Sequence, residues 1–187
     1  MSMVLWIAVG LFPVSEVTLA ILKRANPRTT QVEDRGSLGL LWAVILLSVG
    51  MAIALMWVPA ARLHISATLH QTLTLALLVA GLAIRWWSIL TLGQLFTVDV
   101  AIHRDHTLVE TGLYKYIRHP SYAGLLMAFL GLGVAYANWL SILALVVPIT
   151  LAIVNRIAKE EVALRGALGE PYAAYCARTK RLLPFLY

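Results

Sequence analysis

Apolar residues occur along this chain in five long blocks that are separated by polar segments. The blocks cover approximately residues 3–22, 38–58, 73–92, 120–137 and 139–155. About 20 apolar residues in a helix cross the ~30 Å hydrocarbon core of a bilayer. No alternating pattern suggests a strand, and no internal repeat is visible. The pattern therefore predicts an all-α integral membrane protein with five transmembrane helices.

The connections between the blocks indicate how the helices pair. Only Asn138 and its neighbours join the last two blocks, which predicts a tight antiparallel helical hairpin. Small residues let membrane helices approach closely, so we expect spans four and five to pack tightly through Gly124, Ala128, Gly131 and Gly133. A looser opening towards the lipid is then expected between this pair and spans one to three. After the last span, a cytoplasmic helical segment is predicted to break at Gly169-Glu170-Pro171.

Composition excludes several classes of protein. Of the 187 residues, 60% are hydrophobic and 13% are charged, whereas soluble domains are about 45–50% apolar and ~25% charged. The single cysteine, Cys176, excludes a disulfide framework and a multi-cysteine metal site. The first block has no preceding basic residue and no cleavage site at a suitable distance, so we expect a retained anchor.

The basic residues predict the orientation in the membrane. Of the 15 lysines and arginines, 13 lie in the segments 23–37, 93–119 and 156–187, and Arg62 stands alone on the opposite side. Cytoplasmic loops retain positive charge, so the N-terminus is expected outside and all three segments inside. The net charge of +6 then reflects topology and attraction to anionic lipids, and no feature favours nucleic acid as a partner.

Two charged residues fall within the predicted spans. Arg85 is followed by two tryptophans about two turns before the cytoplasmic end, so an interfacial anchor whose charge snorkels to the headgroups is expected. Glu16 is expected to be either bonded inside the bundle or exposed near an interface.

The C-terminal half carries the polar residues that could form a site. Pro120 suits the first turn of span four, which places Arg118 and His119 at its cytoplasmic mouth. The N–H groups there would attract a carboxylate, although a positive flank of the membrane gives the same pattern. Arg156 and Glu160 are four residues apart and share a helix face. They could line a site or form an ordinary surface salt bridge.

The sequence lacks the residues that common types of metal and nucleotide sites need. His103 and His106 form an H-x-x-H pair near Asp99, Asp105 and His119, but the region is typical of a loop and lacks further ligands. We therefore expect no metal. No glycine-rich strand–turn–helix is present, so a cofactor pocket would not be of the Rossmann type.

Several separated motifs are similar to those of one family. They are His106-Thr107-Leu108-Val109, Gly112, Tyr114, Arg118-His119-Pro120-Ser121-Tyr122-Ala123-Gly124, Glu160-Glu161, Gly169, Tyr172, Tyr175 and Leu183-Pro184. In order and spacing this half of the chain, residues 93–187, resembles the isoprenylcysteine carboxyl methyltransferase family of membrane enzymes.

The resemblance implies S-adenosylmethionine as the methyl donor. The cofactor contacts that it implies are His106, Thr107, Leu108, Val109, Tyr114, His119, Pro120, Ser121, Tyr122 and Glu160. Arg156 would hold the substrate carboxylate as the catalytic residue. One polar cofactor contact of the family has no clear counterpart between Asp99 and His103. Residues 93–187 would form the catalytic half and residues 1–92 three transmembrane helices.

The implied reaction is transfer of the methyl group to the carboxylate of a lipophilic substrate. The chemistry is compatible, because a carboxylate is already nucleophilic and needs no general base, while Glu160 suits the cationic donor. A related phospholipid amine N-methyltransferase remains an alternative acceptor class. A membrane reductase that uses NADPH and a bundle without enzymatic activity are the other classes to be tested.

Overall fold

The computed structural model describes residues 3–24, 30–34, 36–103 and 107–184. The α-helices of these residues are α1 (Met3–Leu22), α2 (Gly36–Leu55), α3 (Ala67–Leu92), α4 (Pro120–Ala135), α5 (Trp139–Leu168) and α6 (Glu170–Arg178). The first five occupy the five apolar blocks. Helix α5 continues far beyond the predicted end of its span and stops at Gly169, whose φ of +59° is the left-handed conformation that favours glycine. The predicted break is confirmed.

Three described helices are long and apolar enough to cross a membrane: α2, α3 and α5. Helix α1 has a shorter apolar run, and α4 has 16 residues, about 24 Å at 1.5 Å per residue. The structure therefore supports an integral membrane protein that is mostly helical.

Two short strands pair across the polar connections. Strand β1 (Thr30–Asp34) runs antiparallel to β2 (Val100–His103), with Thr30 opposite His103 and an irregularity between Val32 and Asp34. The expectation of a chain without strands is wrong. Strands of five and four residues are too short for alternation to be diagnostic, and their pairing depends on which helix ends meet.

Helix α4 packs most closely on α3, not on α5. A Cβ atom added to Gly81 would lie 2.6 Å from the backbone nitrogen of Ala128, and one added to Gly124 would lie 2.6 Å from the carbonyl oxygen of Gly81. Gly131 similarly meets the backbone of α3, whereas Gly133 faces Ile142 of α5. The expected contact with α5 is therefore confirmed for Gly133 and wrong for the other three small residues. Small residues indicate a close approach but do not name the partner.

The turn between α4 and α5 is fixed by Asn138. Its side-chain oxygen accepts from the backbone nitrogens of Leu140, at 3.0 Å, and Ser141, at 3.3 Å, which caps the start of α5. Its amide nitrogen donates to the carbonyl of Val58 at 3.1 Å. The predicted hairpin is thus present, and it is also tied to the end of α2.

Candidate active site

A cavity of about 460 Å³ lies between α1, α2, α4 and α5. Its apolar walls come from α1 and α2, through Val9, Phe12, Pro13, Val17, Ala20, Leu38, Leu41, Trp42, Ile45, Leu46 and Val49. Val17 is 49% exposed and Leu46 is 69% exposed, so the cavity reaches the outer surface of the bundle along these two helices. The cavity therefore lies on the predicted side of the α4–α5 pair, towards α1 and α2, whereas α3 packs closely against α4.

Most of the residues implied by the resemblance line this one cavity. They are Thr107, Leu108, Val109, Tyr114, His119, Ser121, Tyr122, Arg156 and Glu160. Pro120 is fully buried at the first position of α4 and is not among the residues that line the cavity. His106 lies outside the described residues, as do Asp105 and the side chain of His103.

Arg156 and Glu160 meet at the hydroxyl of Tyr122. Arg156 Nε donates to that oxygen at 2.8 Å, and the hydroxyl donates to Glu160 Oε2 at 3.0 Å. Arg156 is buried, whereas the Glu160 side chain is 32% exposed and faces the cavity. The structure has this shared contact in place of the surface salt bridge that the spacing allowed. The other carboxylate oxygen of Glu160 remains available on the side of the cavity.

His119 lies between the two neighbouring glutamates of α5. Its Nδ1 is 3.9 Å from Glu160 Oε1, and its Nε2 is 3.5 Å from Glu161 Oε1. The ring is buried and lies 5.8 Å from the Tyr122 ring, centroid to centroid. The buried ring therefore lines the cavity at the start of α4.

Glu161 has a different role from Glu160. Its side chain is 4% exposed, and it pairs with Arg118 Nε at 2.9 Å and with Arg181 Nη2 at 2.7 Å. Arg118 also donates to the carbonyls of Cys176 and Thr179. Glu161 thus holds the C-terminal segment against the start of α4. The sequence alone does not show which of the two adjacent glutamates has this role.

Two tyrosines of α6 complete the cavity wall and were not predicted as site residues. Tyr175 donates to the carbonyl of Tyr114 at 2.6 Å. The Tyr172 hydroxyl is buried and has no hydrogen-bond partner among the described residues. Burial raises the pKa of Tyr114, Tyr172 and Tyr175, so all three phenols stay neutral. For Tyr172 and Tyr175, the sequence signal that could have indicated a role in the site was their spacing on the amphipathic helix α6.

The sequence suggested that Arg85 is an interfacial anchor, and this prediction is wrong. Arg85 is buried, and its Nε and Nη2 donate to the two carboxylate oxygens of Glu16 at 2.5 and 2.6 Å. Its Nη1 donates to the Ser121 hydroxyl at 3.0 Å. Tryptophans beside a basic residue suggested the interface, but an acidic partner 69 residues away in sequence draws the guanidinium inward. The pair joins α1, α3 and the start of α4.

The segment before β2 is held over the cavity by the end of α1. Lys23 Nζ donates to the carbonyl of Gly93 at 3.0 Å, and its own carbonyl accepts from the backbone nitrogen of Val98 at 2.8 Å. Asp99 follows on the cavity wall. The region between Asp99 and His103, where the sequence left one polar contact unassigned, therefore borders the same space.

Comparison with known proteins identifies relatives of this chain. Residues 74–166 match the isoprenylcysteine carboxyl methyltransferase (ICMT) family. The protein-S-isoprenylcysteine O-methyltransferase B of Arabidopsis thaliana is 34% identical over 114 residues, which cover 60% of this chain and 58% of that protein. The protein-S-isoprenylcysteine O-methyltransferase of Schizosaccharomyces pombe is 31% identical over 130 residues, which cover 68% of this chain and 55% of that protein.

A solved structure gives the same result. The eukaryotic intramembrane Ras methyltransferase ICMT superposes with a TM-score of 0.58 and 26% sequence identity, over 80% of this chain and 51% of that one. The chain spans little more than half the length of these relatives. Because the sequence matches and the structural match agree, the chain belongs to the isoprenylcysteine carboxyl methyltransferase family.

Proposed function

We propose that this protein is a membrane methyltransferase that moves the methyl group of S-adenosylmethionine to the carboxylate of a lipophilic acceptor. The observation that carries the proposal is a single cavity with two unlike ends. One end is lined by apolar side chains of α1 and α2, and the other holds Arg156, Tyr122 and Glu160. Such a space accepts a molecule with an apolar tail and an anionic head.

The residues at the polar end fit S-adenosylmethionine. The Glu160 carboxylate, partly exposed to the cavity, matches the positive charge of the donor. The neutral phenols of Tyr114 and Tyr172 offer ring faces for adenine or the sulfonium, and the Tyr172 hydroxyl is a buried polar group without a partner among the described residues. The contacts would be completed by His119, Ser121, Thr107, Leu108 and Val109. Pro120 and His106 belong to the same proposal by resemblance.

Arg156 would hold the acceptor carboxylate. A guanidinium keeps its proton and can grip a carboxylate with two parallel hydrogen bonds. The cofactor would supply an electrophilic methyl group to that carboxylate. The protein needs no general base for this displacement. Its residues would align the two reactants and exclude water, and alignment alone accounts for a large part of such rate enhancements.

The apolar end would take the tail of the acceptor from the bilayer. Two wall residues, Val17 and Leu46, are substantially exposed on the outer surface of the bundle, which supports entry between α1 and α2. The relatives are named as protein-S-isoprenylcysteine O-methyltransferases, so a thioether-linked isoprenyl carboxylate is the proposed acceptor class.

The proposal includes five embedded helices and a cytoplasmic site. Helices α1 and α4 would be buried in the bilayer beside α2, α3 and α5. The end of the bundle that carries the polar part of the cavity also carries five basic residues, Lys23, Arg118, Arg156, Lys159 and Lys180. Arg62 lies at the other end. The positive-inside rule then assigns the site and the C-terminus to the cytoplasm.

Calorimetry and a transfer assay test the function. The purified protein should bind S-adenosylhomocysteine and not NADPH, and labelled S-adenosylmethionine should methylate N-acetyl-S-farnesylcysteine to a base-labile ester. Binding of NADPH alone would favour a reductase. A base-stable product formed with phospholipid amines would favour the N-methyltransferase class. Binding of neither cofactor would favour a bundle without enzymatic activity.

A further inference from the structure

Three different elements fix the guanidinium of Arg156. Its Nε donates to the Tyr122 hydroxyl of α4 at 2.8 Å, its Nη1 to Ser37 Oγ of α2 at 2.9 Å, and its Nη2 to the backbone carbonyl of Val98. Arginine carries five N–H groups, so these contacts leave one on each terminal nitrogen for a ligand. Because the three acceptors lie on separate elements, they set the plane of the guanidinium.

Ser37 is the acceptor that the family match does not include. It lies in the first turn of α2, ahead of residues 74–166 that match the family, and it is 2% exposed. A guanidinium cannot accept a hydrogen bond, so the Ser37 oxygen accepts from Arg156 and its own hydrogen must go elsewhere. A side-chain hydrogen bond from Ser37 is the largest of the contributions that hold the pKa of Asp34 well below its usual range, so we assign that hydrogen to the Asp34 carboxylate.

Asp34 is itself held in place by two elements. Its Oδ1 accepts from the backbone nitrogens of Gly36, at 2.9 Å, and Ser37, at 3.3 Å. Its Oδ2 lies 3.1 Å from Lys159 Nζ, on α5 three residues after Arg156. The junction between β1 and α2 therefore contacts α5 at two neighbouring points. The position of Ser37 relative to Arg156 is set by this ion pair as well as by helix packing.

We propose that Ser37 is a positioning residue that holds Arg156 in the orientation that receives the acceptor carboxylate. The inference rests on the proposed function of Arg156. Leu38, not Ser37, lines the cavity, so Ser37 acts through Arg156 and does not touch either substrate. Without its oxygen, the guanidinium keeps the contacts with Tyr122 and Val98 but loses the one that fixes Nη1.

The chain offers a matched control for this role. Ser141 of α5 is fully buried, and its hydroxyl donates to the carbonyl of Ala52 in α2 at 2.7 Å. It joins the same two helices as the contact between Ser37 and Arg156, but near the end of the bundle away from Arg156. Ser141→Ala therefore removes a buried hydrogen bond between α2 and α5 without touching the site.

The experiment compares steady-state kinetics, affinity for S-adenosylhomocysteine and thermal stability in detergent. We expect Ser37→Ala to lower kcat/KM for N-acetyl-S-farnesylcysteine about tenfold, with S-adenosylhomocysteine affinity within about twofold of the parent. Ser37→Thr, which keeps the hydroxyl, should recover most of the rate. Ser141→Ala should lower the thermal midpoint and leave kcat/KM near the parental value. In an Arg156→Lys background, Ser37→Ala should have a smaller effect than in the parent.

Two results would overturn the inference while the proposed function stands. One is a Ser37→Ala protein with no larger loss of kcat/KM than Ser141→Ala. The other is a Ser37→Ala protein whose S-adenosylhomocysteine affinity falls by the same factor as its kcat/KM. If Ser37→Ala does not fold, Asp34→Asn replaces it, with a smaller loss of kcat/KM expected and with the same two criteria. A parental protein that transfers no methyl group would overturn the proposed function and the inference with it.

Discussion

Arg156 and Glu160 lie one turn apart on α5, yet the Tyr122 hydroxyl lies between them, 2.8 Å from Arg156 Nε and 3.0 Å from Glu160 Oε2. This arrangement keeps the positive and negative groups from neutralising each other directly. Each retains hydrogen-bonding capacity towards the cavity. In the proposed function the two residues therefore hold different ligands, the acceptor on Arg156 and the donor on Glu160.

The first prediction separates these two roles. Arg156→Ala should leave S-adenosylhomocysteine affinity close to the parental value and lower the methyl-transfer rate about 100-fold, since misplacement of a reactant by about 1 Å has an effect of that size. Arg156→Lys should recover little, because one ammonium cannot reproduce a two-pronged grip. Calorimetry and a labelled-methyl assay measure both quantities. An Arg156→Ala protein with parental turnover would contradict the role in holding the carboxylate.

The second prediction distinguishes the adjacent glutamates. Glu160→Gln should weaken cofactor binding by roughly 1.5–3 kcal/mol, the usual contribution of a hydrogen bond to a charged group, without loss of folding. His119→Ala should weaken it as well, because the ring contacts the same end of the cavity. Calorimetry with S-adenosylhomocysteine measures the change. Parental affinity in both variants would refute the placement of the donor.

Glu161→Gln serves as the comparison, and here the expected effect is on stability. It removes the carboxylate that pairs with Arg118 and Arg181, and loss of one partner of a buried pair costs about 3–5 kcal/mol. Thermal unfolding in detergent and protease sensitivity of the C-terminal segment should report the change. A Glu161→Gln protein as stable as Glu160→Gln would argue against the structural role.

A third prediction concerns the ion pair between Arg85 and Glu16. Glu16→Leu alone should destabilise the protein by about 3–5 kcal/mol, because the buried guanidinium loses its charged partner. Replacement of both residues by leucine should recover part of that stability, since apolar pairs often replace buried ion pairs without loss. Denaturation of the single and double variants tests this. A double variant less stable than Glu16→Leu would show that the contact between Arg85 and Ser121 is the more important one.

The close approach of α3 and α4 gives a fourth prediction. Gly124→Ala would place a methyl group 2.6 Å from the carbonyl oxygen of Gly81, and such overpacking typically destabilises by 1–3 kcal/mol or more. Gly50→Ala in α2 is the control, since its added methyl group would have no neighbour within 4 Å. Thermal midpoints should fall for Gly124→Ala and stay near the parental value for Gly50→Ala. Equal midpoints for the two variants would be incompatible with the helix contact.

The fifth prediction concerns membrane orientation. Single cysteines introduced at Arg62 and Lys180, in a background in which Cys176 is replaced by serine, should react differently with an impermeant maleimide. The cysteine at position 62 should be labelled in intact cells and the one at position 180 only after permeabilisation. The reverse order would overturn the assignment of the site to the cytoplasm.

Local chemistry in the sequence was sufficient for much of the helical framework. The apolar blocks predicted the helices because burial in hydrocarbon depends on composition over about 20 residues. Pro120, Asn138 and Gly169 marked helix ends correctly because capping and backbone conformation depend on a few neighbouring atoms. The motifs of the C-terminal half also indicated the family that the comparisons confirm.

Tertiary structure decided the contacts between residues that are distant in sequence. It paired Arg85 with Glu16, turned Glu160 to the cavity and Glu161 to Arg118, and brought Ser37 to Arg156. These contacts depend on the rotation and offset of each helix relative to its neighbours. That geometry is fixed by the backbone contact between α3 and α4 and by the sheet that joins the loops, neither of which hydropathy or spacing within one segment encodes.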